Sequence, residues 1–361
     1  MPAIPPHRPR NPVVFVVGCP RSGTTLLQRM LDRHPDLAVA NDTHFVTRSI
    51  RRMTPQLESE ILTHGDVELT ADVVESVRTY HRLYRLQLED SVVREAADTS
   101  STYRQFVGKL FTRFAEQEGK PLAGEKTPDY VRQLPFLHAL FPWVKTIHII
   151  RDGRDVAMSV RDWAVRKGRG PAKLDLWGKE PLATAALWWK WQVESGLESR
   201  KALPRGQHVQ LRYEQLIARP QEEIARLTGF LGLPPLYPDL DGRPHGTNQP
   251  SAGTDPPSRQ ADLAPQQGLR NWRTEMTDDD ISLVDGLIGT FLERIGYDRP
   301  PIEPSPRVAA RVSECLTWWD DHLRRRHQRE SRRQATDADE PEKLDATVRE
   351  VRLPPSPWAG D

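Results

Sequence analysis

The stretch from Pro12 to Arg33, PVVFVVGCPRSGTTLLQRMLDR, constrains the fold more than any other part of this chain. Val13 to Val17 is an unbroken β-branched and aromatic run, as expected of a strand buried on both faces of a parallel sheet. Gly18 ends the run, and after Gly23 the apolar residues Leu26, Leu27, Met30 and Leu31 recur at helical spacing. A strand that turns through such a loop into a helix aims several backbone N–H groups at one point. The positive end of the helix dipole faces the same point, which suits a multiply charged anion. Arg21, Ser22, Thr24 and Thr25 add side-chain donors around Gly23. An ordinary strand–turn–helix of an α/β protein satisfies the same pattern without any ligand.

Two familiar phosphate loops fit poorly. Gly18 and Gly23 have the spacing of G-x-x-x-x-G-K-[ST], but Thr24 stands where that motif needs lysine. A cysteine phosphatase would place an arginine where Thr25 follows Cys19. What remains is PRSGTT, with the cation moved to Arg21 ahead of the helix. This string resembles the 5′-phosphosulfate loop of the sulfotransferases that use 3′-phosphoadenosine 5′-phosphosulfate (PAPS). It is most similar to the tyrosylprotein-type and bacterial members, which carry arginine at that position. The resemblance implies that Arg21, Ser22, Gly23, Thr24 and Thr25 bind the donor.

Composition narrows the class without naming a substrate. A chain of 361 residues supports a sizeable core, and a net charge of +1 implies no general attraction to nucleic acid or membrane. The two cysteines, Cys19 and Cys315, lie far apart, so no disulfide framework is expected and a reducing compartment fits. The N-terminus lacks an apolar signal core, no stretch is apolar enough to span a membrane, and metal-ligand motifs such as HExxH or CxxC are absent. The expectation is a soluble cytoplasmic protein with no metal; its oligomeric state is not legible.

Further along, His34-Pro35 stops the first helix, and Leu37 to Ala40 reads as a short strand. That strand delivers Asp42 and His44 to its carboxyl end, where open α/β sheets place their chemistry. Asp42 could equally cap a helix starting near Phe45, with His44 on the surface. HPDLAVANDTHF resembles the segment after the same loop in heparan-type and tyrosylprotein-type sulfotransferases. Asp42 then takes the position of their catalytic glutamate, one methylene shorter, and His44 stays as the alternative base. Residues 47–120 are arginine-rich and helical in pattern, and in this frame form a cap or insertion on the acceptor side. EKTP, Glu125 to Pro128, resembles the heparan-type string and implies that Lys126 sits near the bridging oxygen of the phosphosulfate.

Val144 to Ile150 reads as a second interior strand ending in RDGRD. Arg151 and Ser159 match the pair that holds the nucleotide 3′-phosphate in this family, a task suited to the planar donors of arginine. Arg161 to Lys179 reads as a mobile loop and His208 to Tyr213 as a strand running into a turn similar to the family's RYEDL segment, whose resemblance implies a role for Tyr213 that is structural or near the nucleotide. Leu236 to Gln266 is rich in proline and glycine and is expected to be a long loop. Beyond it, Arg270 or Arg273 of GLRNWR is a candidate to close over the nucleotide. A helix over Thr277 to Tyr297 follows. The resulting division is an N-terminal tail over 1–11, a catalytic domain over 12–300, a further helix over 301–334 and a disordered tail over 335–361.

The resemblance implies an α/β fold, a three-layer parallel sheet flanked by helices and similar to the P-loop nucleotide kinases. It implies in-line sulfuryl transfer from PAPS to a hydroxyl of a small-molecule, glycan or lipid acceptor. A small-molecule kinase using ATP and a catalytically inactive nucleotide-binding module are the alternatives. The first lacks its loop lysine, and the second has no need to keep Arg21, Asp42, Lys126 and Arg151 together.

Overall fold

The computed structural model describes residues 10–167, 177–235 and 270–339. In chain order the first part contains β1 (Val14–Gly18), α1 (Thr24–Asp32), β2 (Leu37–Asn41), α2 (Phe45–Arg51), α3 (Pro55–His64), α4 (Ala71–Arg78), α5 (Asp90–Asp98), α6 (Tyr103–Gln117), β3 (Leu122–Lys126) and α7 (Leu134–Leu140). The second contains β4 (Lys145–Ile150), α8 (Gly153–Lys167), α9 (Pro181–Ser199), β5 (His208–Arg212), α10 (Tyr213–Ala218), α11 (Pro220–Leu231), α12 (Trp272–Glu275), α13 (Asp278–Arg294) and α14 (Pro306–Asp339).

The five strands form one parallel sheet in the order β2-β3-β1-β4-β5. β1 is central and wholly buried, as its unbroken apolar run predicts. Side chains alternate across the pleat, so Val14 and Val16 point to one face, and Phe15 and Val17 to the other. On the first face they meet Leu27 and Leu31 of α1 and Ile224 and Leu227 of α11. On the second, Phe15 makes edge contacts with Phe111 of α6 and with Tyr130. Residues 47–120 are therefore more than a roof. Phe106, Phe111 and Phe114 of α6 belong to the core against Phe15, Ala38 and Ala123.

The chain leaves β1 toward β2 on one side and leaves β4 toward β5 on the other. The carboxyl ends of β1 and β4 thus flank a topological switch point, where such sheets bind ligands. Several local readings shift. The segment expected as a mobile loop from Arg161 is helical through Lys167, because α8 buries Trp163 and Ala164. Residues 168–176 of that segment, the loop over 236–266, the start of the N-terminal tail and residues 340–361 lie outside the described residues. The late helix extends to Asp339, past the expected end at 334, and its Val308, Cys315 and Trp319 are buried against the α9–α13 core. α13 begins as expected, with the Thr277 hydroxyl accepting from Asp280 N at 3.2 Å, a cap typically worth ~1 kcal/mol.

His148 of β4 is fully buried, 6.1 Å from the His208 ring between centroids, and packed beneath Gly196 of α9. Burial, with His208 and Arg200 nearby, pushes its imidazole down to about 3; burial and Arg200 push His208 down to about 4. Both are neutral in the folded protein at neutral pH, while an unfolded histidine takes up its proton near ~6.5. Stability is therefore full above that value and falls as the pH drops toward the folded values, by up to ~1.4 kcal/mol per pH unit for each proton. Urea titrations at pH 7, 6, 5 and 4 should give a shallower pH slope for His148→Leu than for the wild type. An unchanged slope would remove His148 as a source of acid lability.

Candidate active site

The carboxyl edge of the sheet gathers the expected residues in strand order. Asp42 follows β2, Lys126 ends β3, Arg21 lies in the loop after β1, Arg151 follows β4 and Tyr213 follows β5. The register explains the first juxtaposition. Asn41 pairs with Lys126 across the β2–β3 ladder, and Asp42 N donates to the Lys126 carbonyl at 2.6 Å.

On the β1–β4 side, the loop before α1 turns through two left-handed residues, Arg21 at φ 76° and Gly23 at φ 90°. A Cβ on Gly23 would lie 2.3 Å from the Tyr213 ring, so glycine is required there for space as well as for backbone geometry. The Arg21 Nε donates to Ser159 Oγ at 3.1 Å, which ties the loop to α8. The Arg151 guanidinium lies over the other end of this cluster, 4.4 Å from the Tyr213 ring centroid and 3.6 Å from Asp155. Burial pushes the Asp155 carboxyl up to about 6 against the opposing pull of Arg151. Ser22 Oγ and Arg151 Nε are buried with no hydrogen-bond partner among the described residues. Unmet donors beside a helix N-terminus fit a phosphate-bearing nucleotide. Ser22, Gly23, Thr24, Arg151, Ser159 and Tyr213 are thus brought to one region, with Thr25 one position further into α1. Arg270 is placed differently. It pairs with Asp162 of α8 at 2.7 Å and Glu275 at 2.9 Å, while Arg273 lies over Trp272 and reaches Asp298.

On the β2–β3 side, Asp42 and His44 both adopt left-handed backbone, at φ 64° and 58°. The agent that holds them there is Glu125, which sequence reasoning passed over as part of the EKTP string. Its Oε1 accepts from the backbone N–H of Thr43 at 3.2 Å and His44 at 3.1 Å, and from the hydroxyls of Thr43 and Thr127 at 2.5 Å each. Burial pushes the Glu125 carboxyl up, while the Thr127 and Thr43 hydroxyls and His44 pull the other way. Tyr130 adds a second tie by accepting from Val46 N at 3.2 Å.

The Asp42 carboxylate is ringed by basic side chains. Lys126 Nζ lies 3.7 Å away, His44 Nε2 3.4 Å, Arg82 3.4 Å and Arg85 3.8 Å. Burial pushes its pKa up, but Lys126, the His44 hydrogen bond and Arg82 hold the carboxyl well below the usual carboxylate range. Arg82 caps and Arg85 lies within a short 3₁₀ turn over Leu83–Leu86, about 40 residues from Asp42 in the chain. Nothing in their local sequence marks them as site residues. Among the described residues no His, Cys, Asp and Glu cluster is arranged to hold a metal, and no helix is long and apolar enough to cross a membrane.

Comparison with known proteins gives a consistent family. A family model described as "Sulfotransferase family" matches residues 12–239. The chain is 28% identical over 336 residues to the nodulation protein NoeE of Sinorhizobium fredii, covering 85% of this chain and 73% of that protein. It is 22% identical over 316 residues to protein-tyrosine sulfotransferase A of Caenorhabditis elegans, covering 84% and 73%. Among solved structures, the sulfotransferase domain of the Synechococcus PCC 7002 olefin synthase shares its fold, with a TM-score of 0.54, 22% identity and coverage of 82% and 98%.

The Glu125 clamp is open to direct test. Glu125→Ala strands its buried donors, each uncompensated group costing about 1–3 kcal/mol, whereas Glu125→Gln keeps an oxygen acceptor in place. Urea denaturation should show a large stability loss for alanine and a clearly smaller one for glutamine. Equal losses would mean that the negative charge, not the acceptor oxygen, holds the turn.

Proposed function

The chain belongs to the sulfotransferase family, and from that membership we propose that it moves a sulfuryl group from PAPS to an acceptor hydroxyl. The observation that carries this reading is the row of strand ends, with an ionised Asp42 beside Lys126 on one half and Arg21, Ser159 and Arg151 on the other. The acceptor class proposed is a small molecule, glycan or lipid headgroup met in the cytoplasm. The catalytic unit proposed runs from residue 12 to about residue 300, with the late helix packed against it.

The donor supplies an activated sulfur whose bond to the phosphate oxygen breaks as the acceptor oxygen attacks from the opposite side. Asp42 accepts the proton of that hydroxyl; a base so positioned typically contributes ~10²–10⁴-fold. Because it is already ionised, it is in the form that a base requires. Its low proton affinity follows first from Lys126 among its cationic neighbours. A shift of that ammonium toward the leaving phosphate would raise the basicity of Asp42 at the moment it is needed. Lys126, Arg21 and the loop N–H groups hold the charge that grows on the leaving group. Arg151, Ser159 and Tyr213 hold the nucleotide, and His44 orients the Asp42 carboxylate through its 3.4 Å contact.

Two measurements test this. 3′-Phosphoadenosine 5′-phosphate (PAP) should raise the melting temperature more than 5′-AMP or ATP–Mg²⁺, and Arg151→Ala should lose most of that gain. A preference for ATP–Mg²⁺ would promote the kinase reading instead. Asp42→Asn should lower turnover by at least ~10²-fold while PAP affinity stays within about twofold. Intact turnover in Asp42→Asn, with loss in His44→Ala, would transfer the role of base to the imidazole.

A further inference from the structure

α8 turns one stripe toward the site on the β4–β5 side. Asp155, Ser159 and Asp162 follow one another at about one helical turn and so share a face. Ser159 Oγ accepts from Arg21 Nε at 3.1 Å, and Asp162 pairs with Arg270 at 2.7 Å. Asp155 is divided between two partners. Its Oδ1 accepts from the backbone N–H of Trp272 at 3.0 Å, and its Oδ2 lies 3.6 Å from the Arg151 guanidinium. One carboxylate thus joins the arginine at the end of β4 to the segment that starts α12.

The other charged groups around Asp155 have partners of their own. Asp152, at the start of α8, is held by Arg154 through Nε at 2.9 Å and Nη2 at 2.7 Å. Arg273 of α12 reaches Asp298, beyond α13, at 3.3 Å. Glu214 of α10 accepts from Asp152 N at 2.9 Å and from the Tyr297 hydroxyl at 3.0 Å, and the Tyr213 ring lies against Arg151. Among the described residues Arg151 is therefore the cation that balances Asp155, and it is also an arginine proposed to hold the donor. A phosphate arriving there meets Asp155, Asp152 and Glu214 as like charges, which disfavours keeping all of them ionised. Burial, with Asp152 and Glu214, already pushes the Asp155 carboxyl up to about 6 against Arg151 and the Trp272 N–H. Asp155, Glu214, Trp272, Arg273, Tyr297 and Asp298 line a cavity of about 160 Å³, room for water and so for a source of protons beside the carboxyl.

Resting on the sulfotransferase reading, we propose that Asp155 is a positioning residue that couples donor binding to a proton. It holds Arg151 ready in the free protein and takes up one proton from solvent when the nucleotide 3′-phosphate replaces it on that arginine. The proton goes to Oδ2, the oxygen that faced Arg151, while Oδ1 keeps the Trp272 N–H and the α12 segment stays in place. A phosphate beside the carboxyl raises its proton affinity, so the complex holds more protons than the free protein. Acid therefore favours the complex, and donor affinity rises as the pH falls.

Calorimetric titration of the full chain with PAP, in buffers of different ionisation enthalpy, counts the protons exchanged on binding. A rise of about one pH unit in the titration of Asp155 corresponds to uptake of ~0.4 proton at pH 7. The phosphates of PAP, with a second ionisation near ~6, can only release protons on meeting cations, so their contribution has the opposite sign. Asp155→Asn keeps an oxygen for the Trp272 N–H and should bind PAP without the uptake. Relative to that variant, wild-type affinity for PAP should be roughly fivefold greater at pH 6 than at pH 8. Weaker binding by the same factor at every pH would mark a purely structural role and overturn the proposal. Net proton release by the wild type at pH 7 would overturn it too, and that reading stands even if Asp155→Asn fails to fold. Failure of the wild-type protein to bind PAP overturns instead the sulfotransferase reading beneath it.

Discussion

The geometry at the ends of β2 and β3 depends on one buried carboxylate. Asp42 and His44 both occupy left-handed backbone, a conformation that costs non-glycine residues roughly 1–2 kcal/mol each. Left alone, the turn after β2 would relax and carry both side chains away from Lys126. Glu125 prevents this by offering one oxygen to two backbone N–H groups and two hydroxyls in the space between β2 and β3. Burying such a group is costly unless it is hydrogen-bonded, and the turn that it shapes supplies the bonds. Clamp and turn therefore require one another.

From that clamp the remaining site follows strand by strand. Parallel strands end at the same edge, so residues following β1 to β5 meet there however distant they are in sequence. The central β1 brings its loop between the two halves, and Arg21 crosses to Ser159. The β4–β5 half is held together through rings and hydroxyls, with Tyr213 filling the space that Gly23 leaves and Arg151 lying over it. The β2–β3 half is held together through charge around Asp42.

Much of this was legible in the sequence because it is local. An unbroken run ending in Gly18 is a buried strand, a helical repeat after Gly23 is α1, and Asp42 with His44 directly after a short apolar run falls at a strand end. The role of Lys126 came from resemblance, and the register beside Asn41 supplies its physical setting. Glu125 was hidden because a glutamate in a strand gives no sign that it will be dehydrated between two turns. Arg82 and Arg85 were hidden for another reason. Their segment reads as one more arginine-rich helical stretch, and only the packing of α2 to α6 on the sheet turns two of those arginines toward Asp42. The extent of α8 and α14 was misjudged because charge-rich sequence looks like loop or tail, while a few apolar residues such as Trp163 and Trp319 anchor long helices.

The cations around Asp42 bear on the catalytic role proposed for it. A carboxylate surrounded by Lys126, His44, Arg82 and Arg85 is a weak base, which opposes the proposed removal of a proton from a hydroxyl. The conflict resolves if those charges have other work in the complex. In the proposed reaction a leaving phosphate would draw on Lys126 and so reduce the positive field on Asp42. Proton affinity would then rise as the charge on the leaving group grows. Coulomb attraction at 3.4–3.8 Å is strong in a partly buried setting, so small shifts of these side chains change it appreciably. Tight pairs of the kind that Arg154 makes with Asp152 could not serve this way, because their bidentate bonds would have to break first.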